Sequence, residues 1–290
     1  MSEYVLISDS TTDITTEMIE ELKIKVIPLT YTIDGKTYYN KPNAGIDDKA
    51  FYDLLRAGKS ATTSQINSEE FIEVFEPYLK EGKDVLYIGF SSGLSGTYQC
   101  STIAQKELEE KYPDRKIIVF DSLSASMGEG LFVYHAAKMK NEGADIETVY
   151  TWLKDNALKV AHWFTVDDLN HLKRGGRVSA ASALVGTMLG IKPVLHVDNE
   201  GHLIPKEKVR GRRQSLDALV KHLEKSAVDP ASQVVFISHG DALEDAEYVG
   251  EEIKKKFGVK EVFINFVGPV IGAHAGPGTI ALFFLAENRD

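Results

Sequence analysis

Apolar runs too short to be helices recur along this chain, with room for one or two helices between successive runs, and that rhythm constrains the fold more than any other feature. Tyr4–Ser8 (YVLIS), Lys25–Thr32 (KVIPLTYT), Val85–Phe90 (VLYIGF) and Lys116–Asp121 (KIIVFD) read as buried strands. Amphipathic stretches separate them. ITTEMIEELK follows Asp13, which reads as its cap, and Ile46–Leu55 is helical in pattern. A further helix opens at Asn67, whose side chain can pair with Glu70 in a capping box, and TYQCSTIAQKELEEKY is another. Continuous apolar runs, as opposed to alternating ones, belong to strands covered on both faces. The pattern therefore predicts βαβ units and a mostly parallel sheet flanked by helices. Asp34-Gly35 before KTYY is a local exception and predicts a hairpin.

The second half reads differently. Val160–Val166 (VAHWFTV) is strand-like; a basic, turn-rich HLKRGGRVS and the small-residue segment AASALVGTMLGIKP follow. Pro193–Pro205 reads as a hairpin around Asn199–Gly201. A helix from Ser215, the strand QVVFISHG, a helix from Asp245, the strand EVFINFVG, the loop GAHAGPG and a last strand TIALFFLA complete the chain. The fold class expected is α/β with two α/β domains. Residues 1–155 would carry the mostly parallel sheet and 156–290 a mixed sheet with helices, with a soft boundary in Gly143–Ala157 and a ligand between the halves.

At 290 residues and 43% hydrophobic content the chain can bury substantial cores without staples. Its single cysteine, Cys100, excludes an intrachain disulfide framework and a four-cysteine zinc site, and suits a reducing, cytoplasmic setting. Cys100 falls inside an expected helix and reads as a small core residue. The start, MSEYVLISDS, has no basic-then-apolar signal pattern, and no window approaches the roughly 18 apolar residues of a membrane span. A net charge of −10 argues against general nucleic-acid binding.

The chemistry concentrates where strands hand over to helices. Phe90–Cys100 (FSSGLSGTYQC) follows a strand and precedes a helix, where free N–H groups and the helix dipole favour an anion. Ser91, Ser92, Ser95 and Thr97 add hydroxyls, and Gly93 and Gly96 allow close backbone approach; an ordinary serine-rich turn capped by Ser95 or Thr97 is the alternative. Gly89–Gly93 also matches G-x-S-x-G, and the order Ser91, Asp241, His274 could mimic a serine hydrolase. Against it, Gly93 to Gly96 delays the helix beyond the place a nucleophile elbow requires. No lysine follows Gly96, which excludes a nucleotide phosphate loop. Ser60–Gln65 (SATTSQ) is a second hydroxyl cluster, and GAHAGPG supplies His274 on a glycine-flanked loop, either as a donor to an anion or as a backbone cap. Asp9–Asp13 (DSTTD) lacks the second aspartate of aspartate-nucleophile phosphatases, and capping is its simpler reading. The eight histidines show no metal-site spacing. Two basic clusters, Lys173, Arg174 and Arg177, and Lys206, Lys208, Arg210, Arg212 and Arg213, are either solvated surface or a docking or phosphate contact.

DSTTD, TSQ, SSGLSGTYQ, VFDS, LKRGGR and GAHAGPG, in this order, resemble the DegV family of bacterial proteins from Asp9 to about Gly278. The resemblance implies one DegV-like unit, spanning about residues 3–288, that holds a long-chain fatty acid between two α/β domains. It further implies a non-catalytic carrier subunit of a two-component fatty acid kinase, presenting the acid for acyl-phosphate formation in lipid metabolism. Carried onto this sequence, Thr63 and Ser95 would bind the carboxylate and His274 would complete the polar end, with Ser92 and the Gly96 N–H as neighbours. Arg174, with Arg210 or Arg212, would face the kinase or its phosphate. Cofactors and metals are not implied. Partners would be the fatty acid, the kinase catalytic subunit and transiently a membrane surface or acyltransferase. The segment AASALVGTMLGI, with the adaptable Met188, offers an apolar slot for the tail or else plain helix packing.

Overall fold

The structure, a computed structural model, describes residues 3–41, 45–178 and 190–289. Strands β1 (Tyr4–Asp9), β2 (Lys25–Ile27), β6 (Asp84–Gly89) and β7 (Ile117–Asp121) form a sheet in the order β2-β1-β6-β7, parallel throughout. Helices α1 (Thr16–Glu21), α3 (Ser68–Lys80), α4 (Thr97–Lys111), α5 (Met127–Asn141) and α6 (Ile146–Asn156) alternate with these strands or follow them, as the apolar rhythm predicts. The capping box at Asn67 forms with both of its hydrogen bonds. Asp13 does not cap α1; Thr15 does, accepting from Met18 N at 3.2 Å, while Asp13 turns inward with φ 50°.

The expected strand Lys25–Thr32 is two strands. Pro28 has no N–H for the ladder, so β2 ends before it. After it, β3 (Thr30–Ile33) leaves the parallel sheet and pairs antiparallel with β4 (Lys36–Tyr39) and β5 (Ala61–Ser64). The hairpin at Asp34-Gly35 forms, both residues having positive φ as a tight primed turn requires. The SATTSQ segment is thus a strand, with Thr63 opposite Tyr31. Between β4 and β5 lies α2 (Asp48–Arg56).

The second half is a six-stranded mixed sheet in the order β10-β9-β8-β13-β11-β12. Its strands are β8 (Val160–Thr165), β9 (Ile191–Val197), β10 (Leu203–Arg210), β11 (Val234–His239), β12 (Glu261–Phe266) and β13 (Ile280–Leu285). Only β11–β12 is parallel. Helices α7 (Asn170–Arg174), α8 (Arg212–Ser226), α9 (Leu243–Phe257) and α10 (Pro269–Ala275) complete it. Several expected loops are regular structure here: LKRGGR opens inside α7, Arg210 ends β10, Arg212 starts α8 three residues before Ser215, and His274 lies in the last turn of α10. The hairpin around Asn199–Gly201 forms between β9 and β10.

Helix α5 lies between the two large sheets, touching β1 and β6 on one side and β8, β11 and β13 on the other. Its buried residues run all round it, from Met127 and Leu131 to Phe132, Val133, Tyr134 and Ala137, as a helix covered on every face requires. One apolar cluster consequently runs from Leu6 and Leu86 through Phe132 to Phe164, Phe236 and Phe283. The Gly143–Ala157 stretch is largely α6, with Ile146, Val149 and Leu153 buried in that same cluster. Among the described residues no helix is long and apolar enough to cross a membrane.

Candidate functional site

A cavity of about 440 Å³ lies where the serine loop, β5 and α10 meet one face of the six-stranded sheet. That volume falls in the range of about 300–1,000 Å³ typical of small-ligand sites. Leu29, Phe90, Leu94, Phe164, Leu172, Val197, Val267, Val270, Ile271, Ala281 and Phe283 give it a mainly apolar lining.

One end is polar, and its groups are linked contact by contact. Thr63 Oγ1 lies 2.9 Å from His274 Nε2. The His274 ring packs on the backbone of Gly175, and Arg177 donates to the carbonyls of Gly175 and, at 3.2 Å, Leu94. Ser95 follows Leu94; its hydroxyl pairs with Thr97 Oγ1 at 2.9 Å and accepts from Thr97 N at 3.2 Å. Gly96 lies against the Gln65 amide, which would have to swing aside for a Cβ there, 2.4 Å from Oε1. Thr63, Gln65, Ser95, Gly96, Arg177 and His274 all line the cavity.

Burial, helped by the Arg177 charge, lowers the His274 pKa to about 4, so the ring is neutral near pH 7. Its Nδ1 is buried and has no hydrogen-bond partner. A bare lone pair is a better orphan than an N–H, which places the proton on Nε2, donating to Thr63 Oγ1. The Thr63 hydroxyl hydrogen is then free for an acceptor in the cavity. A neutral hydroxyl–imidazole pair, a serine hydroxyl and a half-buried arginine suit a small carboxylate better than a multiply charged group.

Not every expected residue reaches this place. Ser92 does not line the cavity; its N–H bonds Asp121 Oδ1 at 3.2 Å. Arg174 is exposed and stands in an outer groove of about 310 Å³ that shares Thr63, Arg177 and His274 with the cavity. There its Nη2 lies 2.9 Å from His171 Nδ1. Arg210 and Arg212 line neither space. Arg212 is held by Asp245 at 2.7 Å, with Asp167 at 3.6 Å. Arg177 and Gln65 were visible in LKRGGR and TSQ, but only the fold shows that they, and not Arg174, border the cavity. Met188 and the small-residue segment lie, apart from its last two residues, outside the described residues.

The hydrolase reading of Ser91 fails on geometry. Ser91 is fully buried and donates to Gly201 O at 2.9 Å; Gly201, at φ +80°, has no room for a Cβ, which would fall 2.1 Å from Ser91 Oγ. Asp241 is engaged by Arg56, and His274 by Thr63. Ser91 locks the serine loop to the β9–β10 turn.

DSTTD is a structural knot. Asp9 caps the turn after β1, accepting from Thr11 N at 2.9 Å, and its other oxygen receives Tyr87 OH at 2.6 Å; the one hydrogen of Thr11 Oγ1 is shared between Asp9 Oδ1 at 2.5 Å and Glu129 Oε2 at 2.7 Å. Ser8 Oγ has one hydrogen and two neighbours, Ile88 O at 2.7 Å and Glu129 Oε1 at 3.1 Å. A carbonyl can only accept, so Glu129 supplies the second proton and is a neutral acid. Burial and the nearby Asp9 raise its pKa in the same sense.

The model of the family described as "Uncharacterised protein, DegV family" matches residues 3–287. The chain belongs to the DegV family. A DegV domain-containing protein of Clostridium perfringens is 45% identical over the full length of both chains, and one of Lactococcus lactis is 38% identical over 98% of each. Among solved DegV structures, one from Thermus thermophilus, described by its fatty acid binding, superposes with a TM-score of 0.89 at 30% identity. It covers 99% of this chain and all of its own. DegV of Bacillus subtilis, described as a fatty acid binding protein, has a TM-score of 0.86 at 30% identity with the same coverage. The α/β architecture is therefore that of DegV proteins.

Proposed function

We propose that this chain binds one long-chain fatty acid, such as palmitate, with its carboxylate at the Thr63–Ser95–His274 end and its tail along the apolar walls. The observation that carries the reading is one cavity with a single cluster of convergent donors opening onto a mainly apolar interior. Fatty acid binding by DegV structures at 30% identity supports it. Burying some fourteen methylenes yields roughly 11 kcal/mol gross at about 0.8 each. Each hydrogen bond to the charged head adds about 1.5–3 kcal/mol. The tail supplies most of the affinity; the donors fix direction and reject amphiphiles without an acid group.

The chain acts as a carrier in this reading, without chemistry of its own. A partner kinase transfers the γ-phosphoryl group of ATP to a carboxylate oxygen, giving acyl phosphate and ADP. The outer groove with exposed Arg174 lies on the far side of Thr63 and His274 and is where the reagent would approach. Extraction of the purified protein followed by mass spectrometry should yield long-chain fatty acid. Repeated preparations without any, together with failure to bind added palmitate, would end the proposal. Arg174→Ala should retain the acid yet impair its phosphorylation by a cognate kinase; loss of the acid instead would reverse the role assigned to Arg174.

A further inference from the structure

The outer groove is cationic. Lys59, Arg174 and Arg177 line it, and among the described residues no aspartate or glutamate does. Lys59 is held by Asp34 at 2.7 Å. The two arginines have only neutral partners: Arg174 bonds His171 at 2.9 Å, and Arg177 donates to the carbonyls of Gly175 and, at 3.2 Å, Leu94. These contacts leave most N–H donors of both guanidinium groups for another acceptor. Arg177 is also half-buried, and burial lowers its pKa with no acid to offset the effect. A half-buried cation without a carboxylate favours an anion beside it.

The contact that holds Arg174 also fixes a proton. Arginine only donates and keeps its charge, so His171 Nδ1 is the acceptor and the imidazole carries its hydrogen on Nε2. Burial and the Arg174 charge both lower the pKa of His171, which keeps the ring neutral near pH 7. The ring is wedged as well. Gly276, which caps α10 at φ +80°, lies against it: a Cβ there would fall 2.6 Å from His171 Cγ and Cδ2. In return the His274 ring of α10 lies against Gly175, which caps α7, where a Cβ would fall 2.2 Å from His274 Nδ1. Each helix thus sets a histidine on the other's terminal glycine. Through His171, Arg174 is tied to the helix that carries His274.

We infer that the outer groove is the subsite for a phosphoryl group carried on the ligand's own head, that of a long-chain acyl phosphate, gripped by Arg174 and Arg177, with His171 as the positioning residue that holds Arg174. The inference rests on the carrier reading and extends it from the acid to its phosphorylated product. Thr63, Arg177 and His274 border both spaces, so a head held at Thr63 lies at the wall shared with the groove. A phosphoryl group added to that head meets cations there, and arginine forks match its oxygens. The acyl phosphate carries more negative charge than the acid, so the groove favours the product.

The test is competition binding to the delipidated full chain with palmitate and hexadecyl phosphate, an unreactive stand-in of the same chain length. Hexadecyl phosphate should bind about tenfold tighter, the yield of one charge-assisted hydrogen bond. Arg174→Ala should lower the ratio of the two affinities at least about threefold, whatever the absolute values. His171→Leu should lower it likewise. His171→Asn should keep it, because the amide oxygen can accept from Arg174 as Nδ1 does. General damage to the fold moves both ligands together and spares the ratio. A ratio unmoved by Arg174→Ala overturns the subsite, and one unmoved by His171→Leu overturns the role of His171. If hexadecyl phosphate gains nothing over palmitate, the inference is wrong while the carrier reading stands; if palmitate itself does not bind, both go. Titrating the palmitate-loaded chain with inorganic phosphate tests a free ion. Saturable binding there, with no gain for hexadecyl phosphate, would assign the groove to free phosphate and overturn the inference.

Discussion

Replacing Thr63 by valine tests the carboxylate site with little disturbance to the scaffold. Both residues are β-branched and suit a strand, so β5 should stay paired to Tyr31 of β3. The change removes one hydroxyl donor and leaves His274 Nε2 without its 2.9 Å partner. A hydrogen bond to a charged group contributes about 1.5–3 kcal/mol, and because Thr63 is half-buried the lower part of that range applies. At about 1.4 kcal/mol per factor of ten, palmitate affinity should fall about ten- to thirtyfold. Binding should persist, since the tail contributes several times more. The assay is a thermodynamic cycle: Kd for palmitate and for hexadecanol, each with wild type and Thr63→Val. The variant should lose affinity for the acid and change less than about threefold for the alcohol, which has no carboxylate to hold. Equal losses for both ligands would mean that Thr63 only shapes the cavity, and no loss for palmitate would remove Thr63 from the site.

Three further outcomes are expected. The pKa of His274 in the folded chain, about 4, lies below its ordinary 6.5, so the folded state binds fewer protons between those values. The resulting stability is present above pH 6.5 and lost as pH falls toward 4, by at most about 3 kcal/mol; urea unfolding at pH 7.5 and 4.5 should show a smaller pH loss in His274→Gln than in wild type. Glu129→Gln should be neutral or stabilising at pH 7.5, because the amide can donate to Ser8 and accept from Thr11 as the neutral acid does. The advantage should grow with pH, since a raised carboxyl pKa costs stability once the unfolded chain can ionise; a markedly destabilised Gln variant would show that Glu129 is charged. Arg289 is 1% exposed and donates to the carbonyls of Leu123 and Ala157 at 2.7 Å and of Val160 at 3.1 Å. Arg289→Ala should cost about 3–5 kcal/mol in chemical denaturation, and a loss under 1 kcal/mol would show these carbonyls find other donors.

The parallel sheet was legible because its strands are covered on both faces and so carry unbroken apolar runs, as in VLYIGF. The antiparallel β3–β4–β5 sheet was half legible. Asp34-Gly35 announced its turn, but Ala61–Ser64 is polar and short, and its pairing comes from a strand thirty residues earlier, which no local pattern encodes. The hydroxyl- and glycine-rich segments that carry Ser95, Gly96 and His274 stood out in the sequence, while Thr63 was singled out within SATTSQ only by the resemblance to DegV proteins. Their meeting was not legible, since it depends on α10 bringing His274 across 211 positions of sequence to Thr63. Nor did the sequence separate Arg174 from Arg177: both border the outer groove, and only Arg177 also borders the cavity.

Thr63, Arg177 and His274 border both the inner cavity and the outer groove, so the two spaces share part of one wall. With an acyl chain in residence, a visitor arriving from outside would meet the oxygens of its guest while the hydrocarbon stayed sheltered. In the proposed carrier role, the greasy part need never enter water for the acid to be altered, and what leaves the protein afterwards can be a different molecule from the one that entered.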